Sequence, residues 1–133
     1  MKTIFSLLLT GCIYWLNAQL TITTNLREDG VFNKATMNWE INSTTEGLTV
    51  FNFNESLTSF RHITGNISST YTINDWEYSE EEILYNMTLT SDVGNEYEFL
   101  IDGINQVAIF FYYDQYGRYC MVRHYIQDSY FDE

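Results

Sequence analysis

The sequence predicts an all-β protein: an antiparallel meander of eight or nine strands, closing into a barrel or a two-layer sandwich and preceded by a signal peptide. Three observations predict it. Four turn signals, Ser79-Glu80-Glu81-Glu82, Asp92-Val93-Gly94-Asn95, Asp102-Gly103 and Asp114-Gln115-Tyr116-Gly117, divide the second half into short alternating or continuous apolar runs. Aromatic residues, which suit pleated and half-buried surfaces, make up 17% of the chain. No stretch after the N-terminus carries a helical pattern.

The first eighteen residues read as an export signal. Lys2 supplies the positive start, Ile4 to Leu16 the apolar run, and Asn17-Ala18 a small residue before a cut between Ala18 and Gln19. The run is too short and too poorly flanked for a membrane span. An alternative is a lipoprotein box, Leu9-Thr10-Gly11-Cys12, with a lipid on Cys12. Against it, Ile13 to Leu16 continue the apolar run where a polar tether would begin. The expected organisation is a signal peptide over 1–18 and a single all-β domain over 19–133, exported to the periplasm or secreted.

The formal net charge is −12, and loss of Lys2 with the leader takes it to −13. Nucleic acids and anionic membranes need a basic footprint, so both are excluded as partners. The charge serves solubility and also suits a basic partner. Removal or lipidation of Cys12 leaves Cys120 alone, so no disulfide framework can form within one chain. Stability must come from apolar burial. The chain contains no proline, no repeat and no linker.

Along the first half, Leu20, Ile22 and Leu26 alternate with threonines, and Glu28-Asp29-Gly30 reads as a turn. Ala35, Met37, Trp39 and Ile41 alternate with polar residues as a half-buried strand. Asn42 to Gly47 is polar and loop-like. Leu48 to Phe53 is a strand, and Asn54-Glu55-Ser56 turns the chain. Thr58 to Thr64 and Ile67 to Tyr78 follow as strands, separated by Gly65-Asn66. The alternation changes phase between Ile73 and Trp76, which places a bulge near Asn74-Asp75.

The second half permits a register argument, because loop length decides which residues share a face. A three-residue loop ending in Gly94 pairs Leu89 with Tyr97, Met87 with Phe99 and Tyr85 with Ile101, which keeps one face apolar. Gly94 can adopt the left-handed conformation this loop needs, and Gly117 has the same role in the last hairpin. Asp102-Gly103 reads as a tighter two-residue turn. The resulting core face carries Tyr85, Met87, Leu89, Tyr97, Phe99, Ile101, Ala108, Phe110, Tyr112, Cys120, Val122, His124 and Ile126. The other face is polar at Asn86, Thr88, Thr90, Glu96 and Glu98. It becomes apolar at Val107, Ile109, Phe111, Tyr113, Tyr119, Met121 and Tyr125, around Arg123. Strands that are apolar on both sides need cover on both. Either the N-terminal strands fold over this second face or it binds something.

The candidate binding residues are therefore Phe111, Tyr113, Tyr119, Met121, Arg123 and Tyr125. Tyrosine walls with one arginine suit a small apolar or anionic ligand. No metal site, cofactor or catalytic set is expected. His62 and His124 lie on different strands, and His124 falls on the core face. No nucleophile motif, zinc motif or phosphate-cradling loop occurs. Glu80-Glu81-Glu82 is a charged turn without the spaced ligands of a calcium loop. The expected function is a non-enzymatic exported binding module. The alternative is an acidic interaction or inhibitor protein that docks a basic partner.

Thr58-Ser59-Phe60-Arg61-His62-Ile63-Thr64, Ser69-Thr70-Tyr71 and Ser91-Asp92-Val93-Gly94-Asn95-Glu96-Tyr97 carry a resemblance. With the leader ending Asn17-Ala18-Gln19, they resemble a set of uncharacterised small exported β-sheet proteins of Bacteroidota-type bacteria, over Leu48 to Tyr113. That resemblance implies no site residue. The strand succession is more loosely similar to bacterial lipocalin-like domains, which implies an up-and-down barrel carrying a small hydrophobic ligand. Met37-Asn38-Trp39 has Met where the Gly-Xaa-Trp signature of lipocalins has Gly.

Overall fold

A computed structural model describes residues 19–132. The expected leader over 1–18, with its cut site and Cys12, lies outside the described residues. Eight strands follow in chain order: β1 (Gln19–Asn33), β2 (Asn38–Phe53), β3 (Ser59–Thr64), β4 (Ile67–Ser79), β5 (Leu84–Ser91), β6 (Glu96–Asp102), β7 (Val107–Tyr113) and β8 (Tyr119–Asp132). Each pairs antiparallel with its sequence neighbour, and β1 pairs with β8 to close the barrel. Among the described residues no helix is long and apolar enough to cross a membrane.

The C-terminal registers follow the glycines. Leu89 pairs with Tyr97, Met87 with Phe99 and Tyr85 with Ile101, as the three-residue loop requires. Gly94 (φ 89°) and Gly117 (φ 76°) hold the left-handed positions of their hairpins. The connection at Asp102-Gly103 is longer than expected. Asp102 pairs with Val107, so four residues form the loop, and Gln106 takes the left-handed conformation at φ 56°. The Asp102 carboxylate holds this loop by accepting from the N–H groups of Ile104 (3.0 Å) and Asn105 (2.9 Å). Two added residues leave the alternation unchanged, so the face assignments survive.

The N-terminal half needs correction. Glu28-Asp29-Gly30 is not a turn but the interior of β1, where the pairing with β2 only shifts by a bulge. The turn lies at 34–37, where Asn33 Oδ1 accepts from the N–H groups of Ala35 (2.9 Å) and Thr36 (3.3 Å). Ala35 and Met37, expected in a strand, sit in this turn. Asn42 to Gly47, expected as a loop, is strand: Ser43, Thr44, Thr45 and Glu46 pair with Asp29, Glu28, Arg27 and Leu26. Its side chains are exposed, so it carries no alternating apolar pattern from which a strand could be read. The bulge expected near Asn74-Asp75 is present, as a register shift between Ile73 and Asp75.

The expected core face is the barrel interior. Phe51, Phe60, Phe99 and Phe110 come from four strands and meet across the lumen. Ring centroids are 5.9 Å apart for Phe51–Phe110, 5.4 Å for Phe60–Phe99 and 4.4 Å for Phe99–Phe110. This layer of the lumen is therefore packed side chain. Leu57, from the β2–β3 loop, joins the same cluster with Leu20, Ile73, Tyr85 and Phe131.

Candidate functional site

Face two of the last strands is the outer wall of the barrel, and the N-terminal strands do fold over part of it. The bulge beside Asn25 and the one before Gly30 let the far end of the β1–β2 hairpin curl outward. Trp39 then lies on Phe111 (5.8 Å between centroids) and Tyr119 (5.4 Å), with Phe32 against its other side at 5.3 Å. Met121 is buried beneath the same hairpin. Its register partner on β1 is Gly30, where a Cβ would stand 3.3 Å from Met121 Cε and 3.1 Å from both Ile41 Cδ1 and the Glu40 carbonyl oxygen. Gly30 is glycine because neighbours already fill that space.

The six expected site residues thus divide into two groups. Arg123 is neutralised by β1: Glu28 Oε1 accepts from Arg123 Nη2 at 2.7 Å and Nε at 3.0 Å, and from the Tyr125 hydroxyl at 2.7 Å. These donors, Arg123 first and then Tyr125, lower the Glu28 pKa. Arg123 and Tyr125 therefore form a wall contact, and Met121 is packing. Pattern reading missed Glu28 because it lies far away in sequence, in a segment expected to turn.

Phe111, Tyr113 and Tyr119 line an open cleft of about 440 Å³. The cause is local. Pairing between β6 and β7 stops at Glu98 and Phe111, although β6 begins at Glu96 and β7 runs on to Tyr113. The two strands part there, and the seam exposes side chains from both faces of the wall. Tyr97 and Tyr112 come from the inner face, with ring centroids 5.5 Å apart. Glu96, Glu98, Phe111, Tyr113 and Tyr119 come from the outer face. A second recess of about 540 Å³ shares Glu96, Tyr97, Tyr112 and Tyr113 and extends toward Asp114 and Gln115. Tyr113 is 71% exposed and packs on Tyr119 at 4.9 Å.

Among the described residues no basic side chain lines either recess. Asp114, in the second, already holds Arg118 at 2.7 Å, while Glu96, in both, and Glu98, in the first, make no salt bridge among the described residues. Burial, then Glu98 and Tyr113, raise the Tyr119 pKa, so its phenol stays neutral near pH 7. Such a surface, π faces with adjacent carboxylates, attracts cations.

The two histidines, on separate strands, come together in the lumen. His62 and His124 pack edge to face at 5.7 Å, each against Phe51 at 4.9 and 5.1 Å. His124 is fully buried, and among the described residues neither of its ring nitrogens has a hydrogen-bond partner; nor does His62 Nε2. Burial, followed by the charge of Arg27, lowers the His62 pKa to about 4. Burial, then His62 and Arg27, lowers that of His124 to about 3. Both are neutral imidazoles at neutral pH. Cys120 is a buried free thiol whose pKa burial raises, so it is not a poised nucleophile.

Comparison with protein-family models, with curated proteins and with solved structures finds no match for this chain.

Proposed function

We propose that this protein is a non-enzymatic exported binding module, and that the seam between β6 and β7 is where it binds. The observation that carries this is the parting of the strands beyond Glu98 and Phe111, which lines one cleft with four tyrosines and two glutamates. The ligand is an organic cation with an apolar body. Its charge lies against Tyr113 and Tyr119 beside Glu96 and Glu98, while its body lies toward Phe111 and Leu89. Arg123 does not take part, since Glu28 already occupies it. An acidic module of this kind also fits the net charge of −12, which draws cations toward the whole molecule.

A lipocalin-like carrier of small apolar molecules is the second candidate, favoured by the closed up-and-down barrel. A single titration separates the two. Benzyltrimethylammonium, its neutral isostere neopentylbenzene, and benzoate are added to the full chain, and Tyr and Glu resonances are followed by NMR. The cation is expected to shift Tyr113, Tyr119 and Glu98, and Tyr113→Ala and Glu98→Gln each to weaken it about tenfold, ~1.4 kcal/mol. Equal binding of the neutral isostere would instead support the carrier, and binding of benzoate alone would overturn both.

A further inference from the structure

The longest unpartnered feature of the fold is one edge of β2. This strand pairs with β1 from end to end, but β3 reaches only as far as the Thr49–Thr64 pair. Asn38–Leu48, eleven residues, therefore has a strand neighbour on one side only among the described residues. Among the described residues no turn or loop backbone bonds to it there. An open edge of this length is a template for another strand. Proteins normally blunt such edges with charges, above all Lys, with Pro, with bulges or with brevity; this stretch runs eleven residues with no Lys or Pro, and its only charges are the acidic Glu40 and Glu46.

We infer that the upper edge of β2 is a docking site for an extended, basic segment of another protein, which would add a strand directly above β3. Two features select that partner. The segment carries Glu40 and Glu46, both exposed and neither paired with a cation among the described residues, and it has no basic residue. Where the edge meets β3 it runs into an apolar notch of about 420 Å³ between Leu48, Val50 and Ile63. An added strand would place cationic side chains near the glutamates and one apolar side chain in the notch, while its main chain supplies the hydrogen bonds. A second copy of this chain suits the edge poorly. Antiparallel self-pairing centred on Ser43 sets Glu40 directly opposite Glu46, like charges face to face on two molecules that are each strongly acidic.

The test uses the full chain and two eight-residue peptides, one alternating Lys and Val, the other alternating Glu and Val. Amide hydrogen exchange is measured with and without each. The Lys–Val peptide is expected to slow exchange at least tenfold across residues 40–47, and the Glu–Val peptide to leave it unchanged. The double variant Glu40→Lys/Glu46→Lys should lose this protection, and Glu40→Gln/Glu46→Gln should weaken it, with the barrel's far-UV spectrum unaltered in both. The proposal is overturned by no protection with the Lys–Val peptide, by protection confined to the β6–β7 seam, by equal protection from both peptides, or by a concentration-dependent dimer that covers 40–47.

Discussion

Gly30 and Met121 face each other across the seam that closes the barrel, and the methionine occupies the space a side chain on residue 30 would need. Around this contact the β1–β2 hairpin folds onto the outer wall, bringing Trp39 onto Phe111 and Tyr119. Overpacking a filled site costs about 1–3 kcal/mol. Gly30→Val is therefore expected to lower the stability by that amount in urea unfolding, and to expose Trp39, seen as a red shift of its fluorescence in the folded state.

The outer contact between Glu28 and Arg123 is a charge-assisted pair on half-buried groups. Glu28→Ala removes an acceptor shared by three hydrogen bonds and is expected to cost roughly 1–2 kcal/mol in chemical denaturation. In a double-mutant cycle, Arg123→Met should recover part of that loss, because the partner left behind is then apolar.

Mild acid should weaken the fold through its two buried histidines. His62 and His124 have folded-state pKa values of about 4 and 3, below the unfolded value of about 6.5. Between those limits the unfolded chain binds more protons, so stability rises with pH and falls as pH drops below about 6.5. Each histidine can contribute up to about 1.4 kcal/mol per pH unit in that window. His124→Leu is expected to flatten the dependence of the urea midpoint between pH 6.5 and 4.5. A slope equal to that of the parent protein would rule out the buried imidazole as its source.

The hairpin glycines are conformational requirements. A Cβ on Gly94, which stands at φ 89°, would meet no neighbour within 4 Å, so strain, and not crowding, is what a substitution encounters. Gly94→Val is expected to destabilise by about 1–2 kcal/mol in thermal unfolding. Phe51→Ala, which empties the centre of the ring cluster, should cost about 3–5 kcal/mol.

Legibility in the sequence followed burial. The bulge after Ile73 and the inward set on β5 and β6 could be read because one face is apolar and the other wet, and the three-residue loops carried that alternation into β7 and β8, which are apolar on both sides. Ser43 to Glu46 could not, because both faces are exposed there and its strand state comes from pairing with β1. Half of the candidate site was legible for a similar reason. Phe111, Tyr113 and Tyr119 share one side of two adjacent strands, and alternation identifies that side. The retirement of Arg123 was hidden, because its partner Glu28 lies 95 residues away.

The amino-acid sequence by itself determined the class and the registers of the β5–β6 and β7–β8 hairpins, since turn chemistry and two-residue alternation are local properties. Only the tertiary structure decided that the sheet closes on itself, that the histidines meet in its interior, that β6 and β7 part beyond Glu98 and Phe111, and that β2 outruns β3. Those outcomes depend on closing β1 against β8, a contact between the two ends of the described chain to which no short stretch of sequence refers.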